Sequence, residues 1–235
     1  MTLKKEKISA VIPTYMEEQY IATLLSTLAK IDPPIEIIVV DSASQDKTVE
    51  IARCFTEKVY QIRQRGISRA KNYGAKKANG DILVFIDADV QLNTDFVTKV
   101  LKTFNEMRVV GATCNVMPLK ATFNEIAFCR FYNFLIRIVN RFKPHSQGKF
   151  FAVRREFFSR VKGFNEDLPC LEDHDLVFRL SSLGKIAFIR DLTVYEFPRR
   201  FRKLGLHRVV MTWVLDYISF MVRGKPISKA WSAVR

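Results

Sequence analysis

The stretch RGISRAKNYGAKKANGDILVFIDAD, residues 65–89, decides the fold. Residues 67–78 read as an amphipathic helix, Asn79-Gly80 turns the chain, and 81–86 reads as a strand whose residues 82–86 form an apolar run such as burial on both faces requires. Working outward, the same grammar repeats. Residues 8–13 read as a strand and 17–30 as a helix with Ile21, Leu24, Leu25 and Leu28 on one face, ended by Pro33-Pro34. Residues 35–40 form a second buried strand, 46–54 a short helix and 58–62 a third strand. Strands and helices alternating at this spacing predict an α/β fold: a mostly parallel central sheet flanked by helices.

Beyond residue 115 the grammar changes. Residues 124–142 read as one long helix stopped at Lys143-Pro144. Residues 147–153 read as a strand leading into a helix at Arg154, and 176–183 as a helix capped at its end by Gly184. A basic cluster at 199–203 precedes a largely apolar final helix. The expected organisation is one compact unit with a soft boundary: 1–115, a half built for a ligand at the strand ends; 116–205, a second half; and 206–235, an amphipathic C-terminal helix.

The chain has 235 residues, 48% hydrophobic and 26% charged, which excludes a disordered or fibrous protein. The formal charge of +14 is uneven: residues 1–120 carry 17 basic and 14 acidic side chains, net +3, and 121–235 carry 21 and 10, net +11. The second half therefore suits something anionic. Cys54, Cys114, Cys129 and Cys170 lie far apart without a CxxC pair, so they read as reduced, packed thiols. The N-terminus has no apolar run of signal-peptide length, and no stretch reaches the ~18 apolar residues of a spanning helix. These features predict a cytoplasmic protein.

In open α/β sheets ligands bind beyond the carboxyl ends of the strands. Three such ends are polar here: Pro13-Thr14-Tyr15 with Glu17, Asp41 with Ser42 and Ser44, and Asp87-Ala88-Asp89. One aspartate alone, such as Asp41, would be explained equally well by a helix-capping turn; three ends on one edge point to a site. Asp87 and Asp89 follow a wholly apolar run, where two carboxylates are costly without a cation. Oxygen ligands of this kind suit Mg²⁺ or Mn²⁺, with water and substrate phosphate completing the shell. No Gly-x-Gly-x-x-Gly follows the first strand and no GxxxxGK[ST] loop occurs, which disfavours a Rossmann dehydrogenase and a P-loop protein.

The ordered set VIPTYMEE (11–18), VVDSASQDKT (39–48), residues 65–89 and GFNEDLPCLEDHDLVFRLSSLG (163–184) resembles the family 2 glycosyltransferases with the GT-A fold. The resemblance covers roughly residues 8–200 and implies a nucleoside diphosphate sugar donor, UDP- or GDP-linked, bound by the first half. It implies that Pro13, Thr14, Tyr15 and Glu17 line the nucleoside pocket and that Asp41 accepts a hydrogen bond from the base. Arg65, Gly66 and Lys71 would close over nucleotide and phosphate, Lys71 standing where family members often carry Arg. Asp87, Ala88 and Asp89 would meet the donor, the two aspartates through a metal that neutralises the leaving diphosphate. Glu172 and Asp173 would form the catalytic pair, with Asp173 as the base that takes a proton from a sugar hydroxyl, and transfer would invert the anomeric centre. Arg199 and Arg200 would bind the diphosphate. Read without the resemblance, residues 172–175 are equally an acid-rich helix start and Arg199-Arg200 a solvated basic turn.

Two other readings compete. A basic nucleic-acid-binding protein would fit the net charge, but no recognition module is present, so no nucleic acid partner is expected. A sugar nucleotidyltransferase would need a glycine-rich loop where Pro13–Glu17 stand. A polyprenyl phosphate acceptor, already ionised near neutrality, would need no base. The Glu172-Asp173 pair thus favours a hydroxyl acceptor, carried on a glycan or a lipid-linked glycan. Finally, Arg130, Arg137 and Arg141 fall on one side of the long helix, opposite Phe128, Leu135, Val139 and Phe142. The tail sets Arg199, Arg200, Arg202, Lys203 and Arg208 before an apolar run holding Trp213, Tyr217 and Phe220, broken by Asp216 and followed by Arg223, Lys225 and Lys229. Both patterns predict peripheral contact with an anionic membrane on its inner face, the alternative being helices that pack on the sheet or on a second subunit.

Overall fold

The computed structural model describes residues 6–140 and 142–228. Arg141 and Lys229, counted above among the basic residues, and the rest of the chain after Ser228 lie outside the described residues. The elements run β1 (Ile8–Thr14), α1 (Ile21–Leu28), β2 (Glu36–Asp41), α2 (Thr48–Arg53), β3 (Val59–Gln61), α3 (Ile67–Lys77), β4 (Ile82–Ile86), β5 (Val90–Gln91), α4 (Phe96–Phe104), β6 (Val109–Pro118), α5 (Phe123–Val139), β7 (Phe150–Arg154), α6 (Arg155–Arg160), α7 (Glu172–Ser181), β8 (Lys185–Glu196), α8 (Arg199–Leu204) and α9 (Leu206–Arg223).

One eight-stranded sheet, in the order β3-β2-β1-β4-β7-β6-β8-β5, forms the centre. β3, β2, β1 and β4 are parallel, as expected from the first half. The second half is mixed: β7 pairs antiparallel with β4 and β6, and β6 runs parallel to β8. The sheet is continuous through residue 115, which lies within β6. Alternate side chains of each strand feed two cores. Ala10, Ile12, Val39, Val84 and Ile86 pack with α1 and α4 on one face, while Val11, Ile38, Val40, Leu83 and Phe85 pack with α3, α6 and α7 on the other. Both faces are buried, which is why these strands read as largely apolar runs.

Three local expectations are corrected. The helix expected over 17–30 is confined to Ile21–Leu28, because residues 17–20 form a turn in which Tyr20 and Ile21 N–H bond to the Glu17 carbonyl. The helix expected over 176–183 starts at Glu172, which puts the acidic residues in its first turn. Gly184 is not the helix cap; Ser182 is. A Cβ at Gly184 would lie 2.4 Å from Val110 Cγ1 and 2.7 Å from the Arg108 carbonyl, so glycine is required there by close approach to β6. The cysteines are free, with Cys54 exposed and the other three buried.

α5, α8 and α9 form a third layer over the end of β6, joined by Phe128, Cys129, Phe201, Val209 and Trp213. The outer faces of α5 and α9 remain apolar and exposed at Phe131, Phe134 and Ile138, and at Met211, Leu215 and Ile218. Arg137 turns back to the sheet, donating to Asn115 Oδ1 at 3.0 Å and lying over the Phe188 ring, rather than standing clear of it. Among the described residues, no helix is long and apolar enough to cross a membrane.

Candidate functional site

Parallel pairing aligns the carboxyl ends of the first strands, with Thr14 opposite Asp41 in the ladder and Asp87 just beyond β4. A cavity of about 1390 Å³ opens along this edge. One end is lined by Pro13, Thr14, Tyr15, Glu17, Arg65, Gly66, Asp87, Ala88, Asp89, Arg199 and Arg200. The middle holds Glu172, Asp173 and His174, and the far end runs between α5 and α9 past Phe128, Tyr132, Leu135 and Trp213.

The loop after β1 is pinned to the loop after β2. Met16 N–H donates to Ser44 Oγ at 2.7 Å, Glu17 N–H to Thr48 Oγ1 at 2.7 Å and Glu18 N–H to Asp46 Oδ2 at 3.2 Å. Asp41 is fully buried beneath these loops; Thr14 Oγ1 and Ser44 Oγ donate to its Oδ1, and Ser44 N–H to its Oδ2. It shapes the wall but does not line the cavity, where Ser42 stands instead. Arg65 lies over the Tyr15 ring, 4.4 Å from guanidinium carbon to centroid.

Lys71 is likewise absent from the lining. It is fully buried, its Nζ 3.0 Å from Glu172 Oε1 and 5.0 Å from the centre of the Phe164 ring. Its charge is directed to Glu172 behind the cavity rather than into the space where the resemblance implied a phosphate contact. Burial would lower its pKa, but the Glu172, Asp87 and Asp173 carboxylates raise it, so it is charged.

Asp87 and Asp89 share Lys149, which sequence reasoning missed. Its Nζ lies 3.3 Å from Asp87 Oδ2, 3.2 Å from Asp89 Oδ1 and 3.2 Å from Glu196 Oε2. Arg199 Nη2 donates to Asp89 Oδ2 at 2.8 Å and to Glu17 Oε2 at 3.0 Å, with its guanidinium over Tyr20. Burial opposes ionisation of Asp89, but Lys149 and Arg199 together hold its pKa below the usual carboxylate range. Asp87 Oδ1 is buried and has no hydrogen-bond partner. An orphaned carboxylate oxygen beside a second carboxylate fits Mg²⁺ or Mn²⁺, which take few protein ligands and complete their shell with water and phosphate. Among the described residues no group of three or more His, Cys, Asp or Glu side chains converges to hold a metal by itself.

The second cluster is also larger than the sequence suggested. Asp173 Oδ1 lies 3.1 Å from His174 Nδ1, His174 Nε2 lies 2.8 Å from His145 Nε2, and Tyr132 OH is 3.2 Å from that same nitrogen. His145 comes from the loop after α5 and has no sequence pattern to announce it. Burial would raise the Asp173 pKa, but His174, by charge and by hydrogen bond, and Lys71 bring it down to about 2. Burial likewise opposes charging of His174, and Asp173 more than offsets it, so the pKa is raised. His145 goes the other way, to about 3, because it is buried beside a second imidazole. Gly148, at φ +76°, faces the free oxygen: a Cβ there would lie 3.4 Å from Asp173 Oδ2. Leu171, just before the helix, holds φ +61°, a left-handed conformation that costs a bulky residue on the order of 1–3 kcal/mol. That strain sits directly against the acidic pair.

The chain is similar to known proteins in sequence and in fold. The model of the family described as "Glycosyl transferase family 2" matches residues 9–162, well over half of the chain. Among curated relatives, the poly(ribitol-phosphate) beta-N-acetylglucosaminyltransferase TarS of Staphylococcus aureus is 34% identical over 98 residues, 38% of this chain and 17% of that protein. The dolichol-phosphate mannosyltransferase of Pyrococcus furiosus is 34% identical over 106 residues, 41% of this chain and 29% of that protein. The chain thus spans only part of the length of these relatives. Among solved structures, the mannosyltransferase PcManGT from Pyrobaculum calidifontis, in complex with GDP-Man and Mn²⁺, superposes with a TM-score of 0.77 at 23% identity, covering 97% of this chain and 67% of that one. S. aureus TarS 1–349 with UDP-GlcNAc gives 0.65 at 22% identity, covering 81% and 58%. At these identities the superpositions establish a shared fold.

Proposed function

The chain belongs to glycosyl transferase family 2, and from that premise we propose that it moves a sugar from a UDP- or GDP-linked donor onto a hydroxyl acceptor, inverting the anomeric carbon. The observation that carries this reading is one cavity with paired carboxylates at one end, a buried aspartate, Asp173, in the middle and an apolar passage at the other. The nucleoside would lie against Pro13, Thr14 and Tyr15. The diphosphate would meet the first turn of α3, where Gly66, Ile67 and Ser68 line the cavity, a helix N-terminus being favourable for anions. A divalent cation held by Asp87 and Asp89 would supply charge neutralisation for the leaving diphosphate. Arg199 and Arg200 stand on the same wall and add positive charge there.

Asp173 takes the acceptor proton. Its Oδ1 is engaged by His174, which leaves Oδ2 to receive the proton as the hydroxyl oxygen attacks and the bond to the diphosphate breaks. An aspartate of such low pKa accepts the proton late, when the forming bond has acidified the attacking oxygen. Bound donor and acceptor displace water and make the carboxylate more basic. The other end of the cavity supports a choice of acceptor class. Phe128, Tyr132, Leu135 and Trp213 offer a hydrocarbon-lined passage, which supports a hydroxyl acceptor carried on a lipid. The exposed apolar faces of α5 and α9, beside Arg130, Arg202, Lys203 and Arg208, support reversible seating on an anionic membrane surface.

The test is a pair of variants. Asp89→Ala should lose Mn²⁺-dependent binding of UDP and GDP, measured calorimetrically, with an unchanged unfolding transition. Asp173→Asn should keep that binding and lose about 10²–10⁴ in sugar transfer. Mn²⁺-independent nucleotide affinity in wild type and Asp89→Ala alike, or full transfer by Asp173→Asn, would remove the respective assignments.

A further inference from the structure

Four carboxylates crowd the donor end of the cavity: Glu17, Asp87, Asp89 and Glu196. Two cations, Lys149 and Arg199, sit among them. The two cations are not equivalent. Arg199 is shared between Glu17 and Asp89 and stacks on Tyr20, a planar fork fixed on two sides. Lys149 is a point charge on a flexible stem, and its Nζ is the group that spans Asp87 and Asp89, with Glu196 as third partner. Its backbone is fixed just where the carboxylates emerge, since Asp87 N–H donates to the Lys149 carbonyl at 3.2 Å. The side chain is a quarter exposed and lines the cavity.

We propose that Lys149 is a tethered counter-ion: it neutralises Asp87 and Asp89 while no divalent cation is present, yields them when one binds, and then turns its ammonium to the donor's diphosphate. The first step follows from shared atoms, because a cation on Asp87 and Asp89 contends with an ammonium 3.2–3.3 Å from oxygens of both residues. The second follows from charge, because the released ammonium faces the part of the cavity where the donor's negative charge lies. Lys149 thereby becomes a further donor-binding residue. This inference rests on the donor reading above, and its test separates the two.

The probes are Mn²⁺ alone, followed by electron paramagnetic resonance of the free ion, and UDP at saturating Mn²⁺, followed by calorimetry. Lys149→Met should bind Mn²⁺ at least about tenfold more tightly than wild type, since one charge-assisted hydrogen bond to a carboxylate no longer competes. The same variant should bind UDP with Mn²⁺ about tenfold more weakly. A merely structural lysine would weaken both. Mn²⁺ affinity unchanged or lowered in a folded Lys149→Met protein overturns the competition, and unchanged UDP affinity overturns the transfer to diphosphate. Lys149→Gln repeats the measurement with a hydrogen-bonding end; if neither variant folds, the ammonium is a structural requirement and the proposal fails. Should wild type bind UDP equally with and without Mn²⁺, the donor-site metal itself is refuted; should only the Lys149 variants fail to respond, the donor reading stands and this inference falls.

Discussion

Lys71→Met tests how α3 and α7 are held together beneath Glu172 and Asp173. Lys71 is 1% exposed, and its ammonium is bound to Glu172 Oε1 at 3.0 Å, so the substitution leaves the Glu172 carboxylate buried and uncompensated. Breaking one side of a buried pair costs about 3–5 kcal/mol. For a chain of this size each kcal/mol lowers the melting temperature by roughly 2–4 °C, so a drop on the order of 10 °C should appear in a thermal scan. Lys71→Met/Glu172→Gln removes both charges and should recover most of the loss, with a coupling of about 2 kcal/mol or more in the double-mutant cycle. The effect also reaches Asp173, whose pKa Lys71 helps to depress. A depressed carboxylate contributes stability that is present above its ordinary pKa, near 3.8, and lost as pH falls toward the folded value of about 2. Lys71→Met should therefore narrow the acid window over which wild type loses stability, as well as lowering stability at neutrality. A single variant within about 1 kcal/mol of wild type, or strictly additive effects in the cycle, would refute the account of Lys71 as the counter-ion of Glu172.

Two further outcomes are open to measurement. In wild-type protein the His174 ring resonances should titrate above pH 6.5, whereas those of His145 should stay neutral down to about pH 3; a normal His145 titration would mean that the imidazole chain to Asp173 does not exist in solution. His145 then contributes stability present above its ordinary pKa of 6.5 and lost as pH falls toward 3, while the contribution of His174 is full below 6.5 and lost as pH rises through its raised value. In sedimentation with vesicles, the protein should pellet with anionic but not neutral lipid at low salt, and Ile138→Asp/Leu215→Asp, which charges the exposed faces of α5 and α9, should abolish that binding. No binding to anionic vesicles would leave those faces to another partner.

How much of the fold could be read in advance follows from how each strand is buried. β1, β2 and β4 feed a core on each face, so their central residues, Ala10–Ile12, Ile37–Val40 and Ile82–Ile86, are all apolar and the runs announce themselves. β8 does not read this way. Its register against β6 jumps from Ile189, opposite Cys114, to Thr193, opposite Asn115, so that Arg190, Asp191 and Leu192 bulge out. The interruption destroys the alternation on which a strand reading depends. Asn115 Nδ2 satisfies the bulged backbone by donating to the Arg190 and Leu192 carbonyls, a compensation invisible without the pairing. β6 hid differently, since it carries Gly111 and Asn115 within a fully buried stretch and looked like the place where one grammar ended and another began.

The site divides along the same line. Residues at strand ends were legible because topology alone brings them to one edge, and Asp87, Asp89 and Glu17 do line one cavity. What sequence could not supply were the counter-charges, since a carboxylate's partner is set by tertiary contact. Lys149 is 60 residues from Asp89, and His145 is 29 from His174. Nor could it say which cation faces inward: Lys71, in the expected position for a phosphate, is turned back by Glu172, while Lys149, in no recognised pattern, stands over the carboxylates. The two acidic clusters, at Asp87–Asp89 and at Glu172–Asp173, each have a lysine counter-ion, but Lys71 is buried behind the cavity, whereas Lys149 is a quarter exposed and lines it. On the proposal for Lys149, charge at the Asp87–Asp89 end would be exchangeable, whereas the Lys71–Glu172 pair stays fixed behind the cavity. Such a division would let a donor come and go while Asp173, the proposed base, stays ionised.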